Sequence, residues 1–367
     1  MPKLQELLQE LPEAHVIGNA EIEVSSLAYD SRQISSGAAF VSIRGLIRDG
    51  HEFIPLALER GASVIVADNQ EALENLPDGV TGVLTPDTRR ALALLACEFY
   101  GQPSRELLLV GVTGTNGKTT TAHLIAELLR EAGYKSVGII GTLGAATAQD
   151  VFDTGRTTPE SLDLQRLLAD FLDGGSEAVV MEVSSHALEL QRVAGCAFDA
   201  GVFTNLTQDH LDFHENMEKY FHAKARLFEE VAEASSKYKS FGAVLNVDDH
   251  YGRRIRDEIC TDSLYITYGI ENEAHVTADA LHLTPTGSSF VARNSQGDIH
   301  FDISLTGRFN VYNSLAAIAF GLLQNMPPQQ IQSALQRASA PEGRMEMIDC
   351  GQSFHVAVDY AHTPDGL

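Results

Sequence analysis

The stretch that decides the fold is "GVTGTNGKTTT", residues 111–121. An apolar run, "ELLLVGV", leads into it, and "TTAHLIAELLREAGY", with apolar residues at helical spacing, leads out. Strand, glycine-rich turn and helix in that order make a phosphate-binding unit, because turn amides and the positive end of the helix can cradle phosphate oxygens. Lys118 would reach the terminal phosphates, and the Thr119 hydroxyl could ligate magnesium. The common form of this motif places glycine five positions before Gly117. Val112 stands there instead, with Gly111 and Gly114 on either side, so the plain pattern fails by one residue.

Upstream, "AAFVSI" (38–43) and "ASVIVA" (62–67) read as strands, and "HEFIPLALERG" between them as a helix closed by Gly61. "DTRRALALLACEFYGQPS" (87–104) is a second helix, ended by Gly101 and Pro103, which marks a domain boundary. Downstream, strands are expected at "KSVGII", "EAVVMEV", "AGVFTN", "GAVLNV" and "SLYITYG", with helices among them. That alternation implies an α/β fold with a doubly wound, mainly parallel sheet. Residues 275–306 alternate differently and suggest an antiparallel edge. "NVYNSLAAIAFGLLQN" and "PQQIQSALQRA" are helices, and "FHVAVDYAH" begins a further strand. The expected domains are 1–103, 104–340 and the start of a third at 341–367.

The chain has 367 residues, 50 acidic and 26 basic, for a net charge of −24. Such a balance argues against nucleic acid or anionic membrane as a partner, and an anionic substrate would need a locally basic cleft. Cys97, Cys196, Cys260 and Cys350 form no CxxC pair and read as reduced thiols, which disfavours a zinc site. "MPKLQELLQELPEAH" lacks a signal-peptide core, and no apolar run approaches the roughly 20 residues that span a bilayer. The expected compartment is the cytoplasm.

Three further places carry chemistry. In "VVMEVSSHAL" (179–188) an apolar strand ends on Glu182, at the carboxyl edge of the sheet beside the phosphate loop, where a carboxylate could hold magnesium. "TNLTQDHLDFH" (204–214) ends another strand and supplies Asp209, His210, Asp212 and His214. Alone it reads as a helix cap with surface histidines; at the same edge as Glu182, His210 becomes a candidate second ligand. Lys224, in "YFHAKARLFEE" (220–230), reads alone as a surface lysine.

These segments, with "TTPE" (157–160), "GRFNVYNSLAA" (307–317), "EGRME" (342–346) and "VDYAHTPD" (358–365) in order, resemble the Mur ligase family of bacterial cell-wall synthesis. The one-residue offset in the phosphate loop is typical of that family and its folylpolyglutamate synthetase relatives. "SSHAL", "DHLDFH" and "YDSRQISSGAAFVSIRG" (29–45) resemble most the branch that adds the third residue of the stem peptide.

The resemblance implies ATP-dependent joining of the D-glutamyl carboxylate of UDP-MurNAc-L-Ala-D-Glu to the amine of meso-diaminopimelate or L-lysine, through an acyl phosphate. By family position Gly114, Thr115, Asn116, Gly117, Lys118, Thr119 and Thr120 bind the ATP phosphates. Asn313 lies at the adenine, and Arg344 and Asp359 meet ATP at a hinge. Thr119 and Glu182 would hold one Mg2+ and His210 a second. Lys224 matches a lysine that the family carbamylates with carbon dioxide. Ser31 and the stretch Leu46, Ile47 and Arg48 would hold the uridine diphosphate. Thr157, Thr158, Ser184 and Arg192 would hold the muramoyl dipeptide, Arg192 through a bidentate anion grip.

Family members of this branch continue for more than a hundred residues into a domain that selects the incoming amino acid. The 367 residues are therefore expected to be a truncated, monomeric form that binds ATP and the UDP-dipeptide and turns over poorly. The rival readings are a sister ligase, a folylpolyglutamate synthetase, or a non-catalytic nucleotide-binding module.

Overall fold

The computed structural model describes residues 1–45, 47–147, 151–233, 240–261 and 263–361. The chain divides into two compact units. One gathers Met1–Pro103, Pro159–Asp170 and Glu189–Cys196; the other gathers Ser104–Thr158, Phe171–Leu188 and Ala197–Leu367.

In the first unit, strands β1 (His15–Ile17), β2 (Leu27–Ala28), β3 (Ala39–Val41), β4 (Val64–Ala67) and β5 (Thr81–Leu84) form a sheet in the order β1-β5-β4-β3-β2. Its neighbours pair in parallel except β1 with β5. β3 and β4 are buried throughout, which is why they read as unbroken apolar runs rather than alternating ones. The helix Thr88–Phe99 starts at Asp87, whose carboxylate accepts from the N–H groups of Arg89 and Arg90. It packs Ala91, Leu92 and Leu95 with Val64 and Val66.

In the second unit the described residues form an eleven-stranded sheet. Its strands are β6 (Leu108–Thr113), β7 (Val137–Gly141), β8 (Gly144–Ala146), β9 (Val151–Phe152), β10 (Ala178–Glu182) and β11 (Ala200–Phe203). They continue with β12 (Gly242–Asn246), β13 (Leu264–Gly269), β14 (Val276–Thr284), β15 (Gly287–Asn294) and β16 (Gly297–Ile303). The order is β16-β15-β14-β13-β12-β11-β6-β10-β7-β8-β9. From β14 to β7 the pairing is parallel, and both ends of the sheet are antiparallel.

β6 lies between β10 and β11, so the turn after it has strand ends on either side. Sequence order reverses there, which is the position where doubly wound sheets bind ligands. The helices Lys118–Glu131, Arg308–Leu323 and Pro328–Arg337 share one core with these strands. Arg308–Leu323 buries residues on all sides, among them Val311, Leu315, Ile318 and Phe320, as its uniform apolarity requires.

The expected strand "FHVAVDYAH" is shorter in the structure: β18 spans Ala357–Val358 and pairs antiparallel with β17, Glu346–Met347. Residues 362–365 of "VDYAHTPD" lie outside the described residues. Among the described residues no helix is long and apolar enough to cross a membrane.

Candidate active site

The phosphate turn is shaped by what surrounds it. Gly114 has φ +149°, and a Cβ there would lie 1.9 Å from Thr204 Oγ1. Gly117 has φ +85°, and a Cβ there would lie 2.4 Å from Asn313 Oδ1. Gly111 belongs to the strand, where a Cβ would press on the Phe198 ring at 2.9 Å. The glycine spacing thus follows from packing as well as from the turn, which accounts for the one-residue offset.

Asn205, at the end of β11, fastens the turn. Its backbone carbonyl accepts from Thr115 N–H at 2.8 Å and its Oδ1 from Asn116 N–H at 2.9 Å. Those two amides are committed to protein. The N–H groups left to face an anion are those of the first turn of the helix Lys118–Glu131, which have no intrahelical acceptor.

Two lysines converge on one acceptor. Lys118 Nζ donates to the carbonyls of Gly114 at 3.0 Å and Thr115 at 2.8 Å. Lys224 Nζ donates to the same Gly114 carbonyl at 2.8 Å and lies 4.7 Å from the centre of the Tyr220 ring. Lys224 is 1% exposed, so the surface-lysine reading fails: the helix Met217–Ala225 turns this residue inward. Burial, and then the charge of Lys118, holds the Lys224 amine well below its ordinary range, with Asp209 opposing. Burial lowers Lys118 as well, against the pull of Glu182 and Asp209.

Glu182, 2% exposed at the end of β10, accepts from Thr119 Oγ1 at 2.9 Å and Thr142 N–H at 2.8 Å, both at Oε1. A Cβ at Gly141 would lie 2.2 Å from that oxygen, so the β7 backbone comes close to the carboxylate. His210 takes a left-handed conformation, φ 52°, before the short helix Leu211–His214, and its side chain is 45% exposed. Burial lowers its titration, Asp209 opposes, and Lys224 and Lys118 add to the lowering. Lys118 therefore lies within electrostatic reach of Glu182, Lys224 and His210.

His214, which reads from sequence as a surface histidine, is buried instead, because the short helix Leu211–His214 turns it inward. Its Nε2 lies 2.9 Å from Ser185 Oγ, and burial beside His186 pushes its titration down to about 4.

Thr119 and Glu182 offer hard oxygen donors of the kind magnesium prefers. Among the described residues no cluster of three or more His, Cys, Asp or Glu could by itself hold a metal ion. Magnesium characteristically takes one or two carboxylates, keeps waters and shares phosphate oxygens, so this donor set fits it. The unmodified Lys224 amine does not fit as a ligand.

Beside the turn a cavity of about 370 Å³ is lined by residues that include Gly117, Thr120, Asp248, Tyr312, Asn313, Arg344, Asp359 and Tyr360. Asn313 is held by Asn310, and its Oδ1 accepts from Thr121 Oγ1 at 3.3 Å. The Arg344 guanidinium lies 4.9 Å from the centre of the Tyr360 ring, and Asp359 accepts from Met345 N–H. Elsewhere in the second unit, Thr158 Oγ1 lies 3.3 Å from Ser184 Oγ and donates to the Glu182 carbonyl at 2.8 Å, while Thr157 Oγ1 is 3.2 Å from Thr142 Oγ1.

In the first unit Ser31 is buried on the short helix Ser31–Gln33, and Ile47 is 97% exposed next to Arg48. Leu46 lies outside the described residues. Arg192 is buried rather than solvated, with Nε 3.3 Å from Glu160 Oε2. Glu160 Oε1 also lies 3.3 Å from Arg89 Nη1, so one carboxylate serves two guanidiniums.

Residues 112–321 match the family model described as "Mur ligase middle domain", and residues 23–100 match "Mur ligase family, catalytic domain". The chain is similar to a UDP-N-acetylmuramoyl-L-alanyl-D-glutamate–2,6-diaminopimelate ligase of Geobacillus thermodenitrificans, at 45% identity over 365 residues, 100% of this chain and 73% of that one. It is 44% identical over 367 residues to the protein of that name from Syntrophomonas wolfei, again 100% of this chain and 73% of the other. A solved structure of an enzyme with the same name superposes with a TM-score of 0.83 at 27% identity, covering 100% of this chain and 72% of that one.

Proposed function

Because the chain belongs to the Mur ligase family and is an ATP-dependent ligase, we propose that it performs the reaction for which these relatives are named. The D-glutamyl carboxylate of UDP-MurNAc-L-Ala-D-Glu attacks the γ-phosphorus of ATP, and ADP leaves. The amine of a diamino acid, meso-diaminopimelate or L-lysine, attacks the resulting acyl phosphate. The tetrahedral intermediate expels phosphate, and the amine proton passes to solvent. The product is the third amide of a peptidoglycan stem peptide.

The chemistry sets triphosphate, carboxylate and transition-state charge in one small volume, so it needs positive charge placed in advance. Lys118 and the first N–H groups of its helix would hold the β- and γ-phosphates. Thr119 and Glu182 would hold magnesium, which when bound neutralises the shared negative charge. His210 and Lys224 would hold a second ion, Lys224 as its carbamate. The neutral amine of Lys224 adds to carbon dioxide and loses one proton to solvent, giving an anion with hard oxygen donors. Burial of the amine supports this step, because it favours the neutral, nucleophilic form.

One observation carries the reading: a buried lysine, 110 residues along the chain from Gly114, shares the Gly114 carbonyl with the phosphate-loop lysine. A simple nucleotide switch has no need of it. Asn313, Arg344 and Asp359 would border the adenine end of ATP. Ser31, Ile47 and Arg48 would serve the uridine diphosphate, and Thr157, Thr158, Ser184 and Arg192 the muramoyl dipeptide. We take the protein to be a cytoplasmic monomer with domains at 1–103, 104–340 and from 341 onward.

The test is titration calorimetry with Mg-ADP, UDP-MurNAc-dipeptide and tetrahydrofolate, with ATP hydrolysis followed in parallel. Binding of the first two and not of the folate is expected. For the 367-residue polypeptide alone, slow turnover is expected; folate binding without the UDP-dipeptide would overturn the assignment, and full ligation would overturn the expected slowness.

A further inference from the structure

One wall of the 370 Å³ cavity carries a carboxylate to which the reaction gives no part. Asp248 follows β12, and its own N–H is held by Asn246 Oδ1 at 3.0 Å. Its Oδ2 accepts from the N–H of Ile270 at 2.5 Å, the N–H of Glu271 at 2.9 Å and the Tyr312 hydroxyl at 2.8 Å. Its Oδ1 accepts from the N–H of Asn272 at 2.7 Å and from Asn272 Nδ2 at 2.8 Å. Five donors meet the carboxylate, and of these the Tyr312 hydroxyl is the one that comes from a residue lining the cavity. Gly269, where β13 ends, makes this closure possible: a Cβ there would lie 2.8 Å from Oδ1. Burial alone would raise the Asp248 carboxyl, yet the N–H groups of Glu271 and Ile270, with Asn272 and Tyr312, hold it below its ordinary value.

The neighbouring Asp249 is engaged as well. It accepts from Tyr251 N–H at 2.7 Å, capping the helix His250–Arg254, and from Leu206 N–H at 2.9 Å.

Purines differ in what they ask of such a wall. Guanine presents a ring N–H and an amino group side by side, a pair that a free carboxylate accepts; adenine has no such pair. We infer that Asp248 and Tyr312 form a specificity-determining pair of the nucleotide cavity, in which the tyrosine hydroxyl occupies the carboxylate and denies guanine its acceptor. Asp248 acts as a positioning residue, holding residues 270–272 and Tyr312 as one wall. This rests on the nucleotide reading of the cavity given above.

The experiment titrates the whole 367-residue protein with Mg-ADP, Mg-GDP and inorganic tripolyphosphate, which occupies the phosphate turn but has no base. The wild type is expected to prefer ADP to GDP. Tyr312→Phe should narrow that preference by about tenfold, the worth of one charge-assisted hydrogen bond, and leave tripolyphosphate affinity unchanged. Asp248→Asn is the second variant, and keeps the inference open to refutation if Tyr312→Phe fails to fold; it should weaken ADP and spare tripolyphosphate. An unchanged ADP-to-GDP ratio in Tyr312→Phe overturns the inference, as does unchanged ADP affinity in Asp248→Asn. Parallel loss of tripolyphosphate binding in either variant also overturns it, since the effect would then be on the fold. A wild type that binds tripolyphosphate but neither nucleotide refutes this pair alone. One that binds none of the three refutes the nucleotide reading itself.

Discussion

The Thr119 hydroxyl donates to Glu182 Oε1 at 2.9 Å, joining the first turn of the phosphate-loop helix to the end of the neighbouring strand β10. The threonine hydroxyl and the carboxylate so placed would hold magnesium, which characteristically keeps waters and shares phosphate oxygens. Glu182→Gln keeps the shape and removes the charge. It should weaken Mg-ADP by about 10- to 100-fold while metal-free ADP binds as before. Calorimetry with and without EDTA checks this, and equal losses in both conditions would contradict it.

The approach of Gly117 to Asn313 is equally specific. Gly117→Ala would force a Cβ to 2.4 Å from Asn313 Oδ1 at a backbone φ of +85°. The left-handed conformation alone costs a non-glycine residue about 1–2 kcal/mol. A lower melting temperature and weaker ADP binding are expected. Adding Asn313→Ala should return part of the stability, because it removes the clash and leaves only the backbone term. No recovery in the double variant would show that the contact is not the cause.

Within the first unit, Glu160 lies 3.3 Å from both Arg89 and Arg192, and all three side chains are largely buried. Glu160→Ala would leave two guanidiniums facing each other away from water. The expected cost is on the order of 3 kcal/mol, read as a shift in urea midpoint. A midpoint within error of the wild type would mean that the carboxylate does not hold the pair.

Much of this was open to reading from the chain. Lys118, Thr119 and Glu182 stand where a strand–turn–helix unit and a neighbouring strand end place them, because side-chain position there follows from regular structure. Lys224 was not legible from its residues: a lysine on an amphipathic helix is ordinarily solvated, and its 1% exposure depends on how that helix meets the phosphate turn. Asp248 was missed for a related reason, since the donors of residues 270–272 reach it only through tertiary packing. Nor does local sequence reveal that 159–170 and 189–196 join the first unit, since that association is made by long-range contacts.

Lys224 gives the fourth prediction. Protein equilibrated with carbon-13 bicarbonate should show a carbamate carbonyl signal that Lys224→Ala lacks and that acid removes. ATP hydrolysis in that variant should be restored in part by short-chain carboxylates. Unaltered hydrolysis in Lys224→Ala would set the carbamate aside.

The most direct measurement is anomalous diffraction from crystals grown with Mn2+, ADP and bicarbonate. Two peaks are expected, one against Thr119 and Glu182 and one against His210 and a carboxylated Lys224. Manganese absent from both places while ADP occupies the phosphate turn would contradict the idea that this sheet edge gathers divalent ions for acyl transfer.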